Sequence, residues 1–152
     1  MRLTRLIFSL LAAAALLGAA DNPTFEGKWV MVAAQSNFGG ETPPQGMSVE
    51  ATLQNGEINA NIISHTARGD VFDSLNWYLD GKPHPTNKSE PGITITHWDG
   101  NTLVNTTETN NKLMKSITRL TVSPDRKTAT ELITIKTPNG VNREKMVWQR
   151  VQ

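Results

Sequence analysis

The chain has 152 residues, with 15 Lys and Arg against 14 Asp and Glu, and no cysteine. That length suits one domain, and the missing cysteines exclude disulfides, thiolate zinc sites, a cysteine nucleophile and lipid attachment at a processed N-terminal cysteine. A net charge of +1 leaves nucleic acid or an anionic membrane surface no basic footprint to bind.

The first 20 residues differ from the rest. Arg2 and Arg5 precede an apolar run from Leu6 to Leu17, broken only by Ser9, and Gly18-Ala19-Ala20 supplies small side chains for a signal peptidase. The run is about 12 residues, short of the roughly 20 a helix needs to cross a bilayer. Residues 1–20 are expected to be a cleaved signal peptide and 21–152 a single exported domain, periplasmic or secreted, of bacterial type and with no membrane span. Without Arg2 and Arg5 the remainder carries 13 basic and 14 acidic residues, so its charge becomes −1.

From Glu26 onward the chain alternates with a period of two, cut by turn residues at short intervals, the mark of an antiparallel β-meander. Residues 26–35 place Trp29, Met31 and Ala33 on one face, opposite Lys28, Val30 and Val32. Met47 to Gln54 alternates up to Asn55-Gly56, a pair suited to the positive φ angles of a tight hairpin. Strands follow over Glu57–Thr66 and Val71–Leu79, then over Ile93–Trp98, Thr102–Glu108, Lys112–Val122, Thr128–Lys136 and Asn142–Val151. Residues 37–46 and 82–92, rich in glycine and proline, read as loops, where function often concentrates. The 17 threonines beyond residue 20 favour strands, and no helical stripe appears there. An open meander leaves two bare edges, and pairing the last strand with the first removes them. The expected fold is therefore all-β: a closed antiparallel meander barrel of about eight to ten strands, counted from the turn signals.

Phe25-Glu26-Gly27-Lys28-Trp29, followed by Ser36-Asn37-Phe38, resembles the opening of the lipocalin and fatty-acid-binding barrels, the calycin group. Leu79-Asp80-Gly81-Lys82, Val122-Ser123-Pro124-Asp125 and Val147-Trp148-Gln149-Arg150 extend the resemblance to small secreted bacterial lipocalin-like proteins. It implies that Gly27 and Trp29 close one end of the barrel, with a basic residue of the last strand, Arg150 or Arg143, over the indole. Two features depart from the fatty-acid-binding pattern. The loop 37–46 leaves no room for a helical lid, and Met146-Val147-Trp148 stands where an Arg-x-Tyr carboxylate clamp would fall.

Trp77, Trp98 and Trp148 occupy alternating strand positions, either as core or as the aromatic lining of a cavity. Thr96, Asn105 and Thr118 are the polar groups that could line it with them. The strands beyond residue 90 carry more Thr and Asn than a dry core accommodates, and buried hydroxyls and amides need partners. Periodicity alone leaves open whether those faces point inward. His65, His84 and His97 lack ligand spacing, so no metal site and no cofactor are expected. Asp70, Asp73 and Glu108 are candidate bases beside the histidines, but no serine sits in a Gly-x-Ser-x-Gly elbow, and no catalytic residue is assigned. Asn87-Lys88-Ser89 and Asn105-Thr106-Thr107 match the glycosylation sequon by chance. The leading functional expectation is non-catalytic binding of a small, partly apolar molecule in the barrel. The alternatives are a filled barrel acting through its surface as an envelope interaction or stress protein, and an enzyme acting on a small substrate.

Overall fold

The computed structural model describes residues 22–86 and 91–151; the expected signal peptide lies outside them. Alternation between glycine, asparagine and proline turns becomes ten antiparallel strands: β1 (Gly27–Met31), β2 (Gly46–Gln54), β3 (Glu57–Thr66), β4 (Gly69–Tyr78), β5 (His84–Pro85), β6 (Gly92–Asp99), β7 (Thr102–Thr109), β8 (Lys115–Val122), β9 (Thr128–Thr137) and β10 (Gly140–Val151). They form one sheet in the order β4-β3-β2-β1-β10-β9-β8-β7-β6-β5. The last strand pairs with the first, Trp29 opposite Arg150 and Met31 opposite Trp148. Only the two ends of the series, β4 and β5, are not laddered to each other, and β4 instead packs near β6 across this seam. The barrel is thus nearly closed.

Three segments differ from the sequence reading, each for a local reason. The first strand stops at Met31 because a 3-10 turn over Ala33–Gln35 follows it. The Ser36 hydroxyl fixes that turn by donating to the Val32 carbonyl at 3.0 Å and accepting from the Val147 amide at 3.0 Å. The eighth strand starts at Lys115, not Lys112, because Lys112 adopts φ +58°. The side chain of Asn111 holds the reversal, accepting from the Leu113 amide and the Thr109 hydroxyl. Within the proline-rich segment, His84 and Pro85 add a short strand opposite Thr94 and Ile93.

The core concentrates at one end. Trp29 and Trp148 are almost fully buried. Phe25 stacks on Trp29, ring centroids 4.5 Å apart and planes 12° apart, and meets Trp148 edge-on at 5.9 Å. The Arg150 guanidinium stands 4.9 Å from the Trp29 ring centroid and donates to the Glu26 carbonyl. Gly27 has φ +111°, and a Cβ there would lie 3.5 Å from the guanidinium. The Gly-x-Trp opening therefore has a physical basis in this chain: glycine supplies the φ, and tryptophan supplies the plug.

Candidate binding site in the barrel interior

Because successive residues of a strand face opposite ways, each strand sends alternate side chains into the barrel. On β2, β3 and β4 these are apolar near the plugged end: Val49, Ile58, Ala60 and Trp77. On β6, β7 and β8 they are polar: Thr94, Thr96, Asn105, Thr109 and Thr118 are all buried. The threonine- and asparagine-rich faces point inward, which settles what periodicity left open.

Thr94, Thr96, Asn105 and Thr107 satisfy one another. The Asn105 side-chain amide donates to the Thr94 hydroxyl at 2.7 Å and to the Thr96 hydroxyl at 2.8 Å. The Thr107 hydroxyl lies 3.1 Å from the Thr94 hydroxyl and donates to the Asn105 side-chain oxygen Oδ1, also at 3.1 Å. A satisfied network of this kind holds a polar wall rigid without collapsing the space beside it. Since the Asn105 side chain is committed to this wall and buried, its sequon match has no accessible acceptor. The second match, at Asn87, lies outside the described residues.

Two adjoining compartments occupy the interior. The inner one, about 170 Å³, lies over the plug and is lined by Phe25, Val49, Ile58, Trp77 and Trp148 among others. The outer one, about 500 Å³, reaches the polar wall through Thr94, Asn105, Thr107 and Thr118. Ile62, Leu75, Trp77, Glu131 and Ile133 line both. The side chains that line this space leave it unfilled.

Of the residues singled out from sequence, Trp77, Trp148, Asn105 and Thr118 line this space. Thr96 stands behind the surface as a hydrogen-bond partner of Asn105. Trp98 packs against the core cluster and lines neither compartment. Gly27, Trp29 and Arg150 form the plug, and Arg143 is exposed on the outside. The histidines stay apart. His65 Nδ1 lies 2.7 Å from Asp70 Oδ1 on an exposed hairpin, and His84 Nε2 lies 3.0 Å from Asp80 while stacking on Tyr78. His97 faces outward. Among the described residues no three His, Asp or Glu side chains converge as metal ligands, and neither His–Asp pair borders the interior compartments.

One interior residue escaped the sequence reading. Glu131 on β9 borders both compartments and accepts a hydrogen bond from the Trp148 indole N–H, Nε1 to Oε2 3.0 Å. Burial pushes its carboxyl up to about 7, an effect that the indole N–H opposes and the Glu144 charge reinforces. Its strand position held the signal, since Ala129, Glu131, Ile133 and Ile135 share one face, and a lone carboxylate among apolar neighbours marks a special environment.

No protein-family model and no curated protein matches the chain. Solved structures do. A secretory abundant heat soluble protein of Ramazzottius varieornatus superposes with a TM-score of 0.62 at 10% identity, covering 84% of this chain and 95% of that one. The zebrafish ileal bile acid-binding protein complexed with cholic acid gives 0.54 at 14% identity, over 84% and 98%. The Schistosoma mansoni fatty acid binding protein in complex with arachidonic acid gives 0.51 at 11%, over 84% and 96%. What the chain shares with these structures is the nearly closed antiparallel meander barrel, the fold that its lipocalin-like opening implied. At these identities the likeness defines the fold, as the Gly27–Trp29 opening implied, and function has to be argued from the interior.

Proposed function

We propose that the protein is an exported carrier that holds a small, partly apolar molecule inside its barrel without transforming it. The single observation that carries this reading is the outer compartment of about 500 Å³ continuing into an aromatic inner one. That size falls within the range of small-molecule sites, and the mixture of apolar lining with a few fixed polar groups is their usual composition. Export draws its support from Arg2, Arg5 and the apolar run to Leu17. Similarly folded proteins hold cholic acid and arachidonic acid in their structures, so a barrel of this shape is compatible with such a role.

Native mass spectrometry of the protein purified from its own source tests both parts. The expected spectrum shows a chain beginning at Asp21, with a second species heavier by a small molecule that denaturation releases. A chain that retains Met1 overturns the export reading. Absence of any adduct, together with no uptake of apolar probes by the purified protein, overturns the carrier reading.

A further inference from the structure

Among the described residues, the charged groups that border the compartments are of one sign. Glu131 and Asp73 border the compartments, and no Lys, Arg or His lines either of them among the described residues. Glu131 sits at the junction of the two, its carboxyl deep enough to rest against the Trp148 indole. A carboxylate offers two oxygens, each with room for more than one donor, and the indole N–H engages one. A ligand carrying its own carboxylate would set like charges side by side in a poorly screened interior. A ligand carrying a cation would meet the opposite charge there. It would also meet Trp77, Trp148 and Phe25, whose ring faces attract an ammonium group.

Resting on the carrier reading above, we propose that the cavity selects an apolar amine, its ammonium group against Glu131 and its hydrocarbon body in the compartments. An ammonium has three donors. Glu131 accepts one, and the Thr94, Asn105 and Thr118 wall lines the outer compartment, where the others are met directly or through water. Among the described residues, Glu144 on β10 is the charge that raises the Glu131 pKa, and Asp73 on β4 borders the outer compartment. The residues that β2, β3, β6, β7 and β8 contribute to the lining are all uncharged. Burial of Glu131 beside the Glu144 charge is costly in the empty barrel, and a bound cation removes that cost.

Decylamine, decanol and decanoate share one chain and differ only in head group, so they separate head-group preference from apolar uptake. They are titrated into the wild-type protein and into Glu131→Gln at about pH 8, where a free alkyl amine and an ordinary carboxyl are both charged, with tryptophan emission and calorimetry as readouts. Glutamine keeps the size of the side chain and an oxygen to accept from Trp148, so E131Q retains the fold, checked by circular dichroism. The expected order is decylamine, then decanol, then decanoate, with decylamine at least about ten-fold tighter than decanoate, the weight of one charge-assisted hydrogen bond. In E131Q that gap closes to within about two-fold while decanol affinity is unchanged, since only the charge-assisted part is removed. Decanoate binding as tightly as decylamine, or an undiminished gap in E131Q, overturns the amine preference and leaves the carrier reading standing. Failure of all three probes to bind overturns both.

Discussion

The Trp148 indole N–H donates to Glu131 Oε2 at 3.0 Å, fixing a carboxyl group against the aromatic floor of a barrel. The bond favours the ionised form, yet burial outweighs it and the pKa rises from 4.5 to about 7. The folded chain therefore holds a proton that the unfolded chain has released over that interval. Stability then falls as pH rises from about 4.5 to about 7 and levels off above, because the folded state binds more protons in that window. Glu144, raised by its own burial and by Glu41, acts in the same direction.

Glu131→Gln removes this titration. Urea unfolding should show E131Q within about 1 kcal/mol of wild type near pH 4 and more stable by on the order of 2 kcal/mol at pH 8, the shift being discounted for access to the cavity. A wild-type protein whose stability climbs through the window, or an E131Q variant no more stable at pH 8, contradicts the buried placement of this carboxyl.

The plug makes a separate demand on the backbone. Gly27 sits at φ +111°, a region that side-chain-bearing residues rarely adopt, beneath the Arg150 guanidinium. Gly27→Ala should cost about 1–3 kcal/mol from backbone strain, seen as a lower denaturant midpoint with an unchanged slope. Arg150→Met, which keeps much of the side-chain bulk but removes the charge over Trp29 and the donor to Glu26, should cost on the order of 1 kcal/mol. If G27A is as stable as wild type, the positive φ is not what the motif requires.

Local pattern foretold the strands and their closure, since alternation and turn residues are properties of neighbouring positions. What it left out depends on height along the barrel axis and on pairs distant in sequence. Trp98 has the alternation of an inward residue, but its strand carries it toward the plugged end, where it packs against the core instead of bordering the cavity. Thr96 was legible as polar and inward only once Asn105 had been placed opposite it by the β6–β7 register. Glu131 was written in the Ala129–Ile135 alternation, but its meaning comes from Trp148, 17 residues away on the next strand. The seam between β4 and β6 follows from a two-residue β5, too short to show as alternation.

The polar wall should behave as a unit. Asn105 donates to both Thr94 and Thr96, so Asn105→Ala leaves two buried hydroxyls to find other partners at once. The expected loss is about 1–3 kcal/mol, measured by chemical denaturation. Thr94→Val in the N105A background should then cost less than Thr94→Val alone, because its partner has already gone. Strict additivity of the two changes argues that water already serves these groups and that the side chains do not depend on one another.

The division of the interior yields a last expectation that separates apolar uptake from head-group contact. Ala60 is buried on β3 and borders the inner compartment but not the outer one, whereas Glu131 borders both. Ala60→Phe places a ring in a space of about 170 Å³, room enough that overpacking should cost no more than about 1–3 kcal/mol. With the inner compartment occupied, a decyl chain loses the burial of several methylenes, each worth about 0.8 kcal/mol. Decanol and decylamine should therefore weaken by similar factors of about ten or more, while the ratio between them stays as in wild type, in contrast to E131Q. A fall confined to decylamine would mean that the ring had disturbed Glu131, and unaltered affinity for both would place the chain outside the inner compartment.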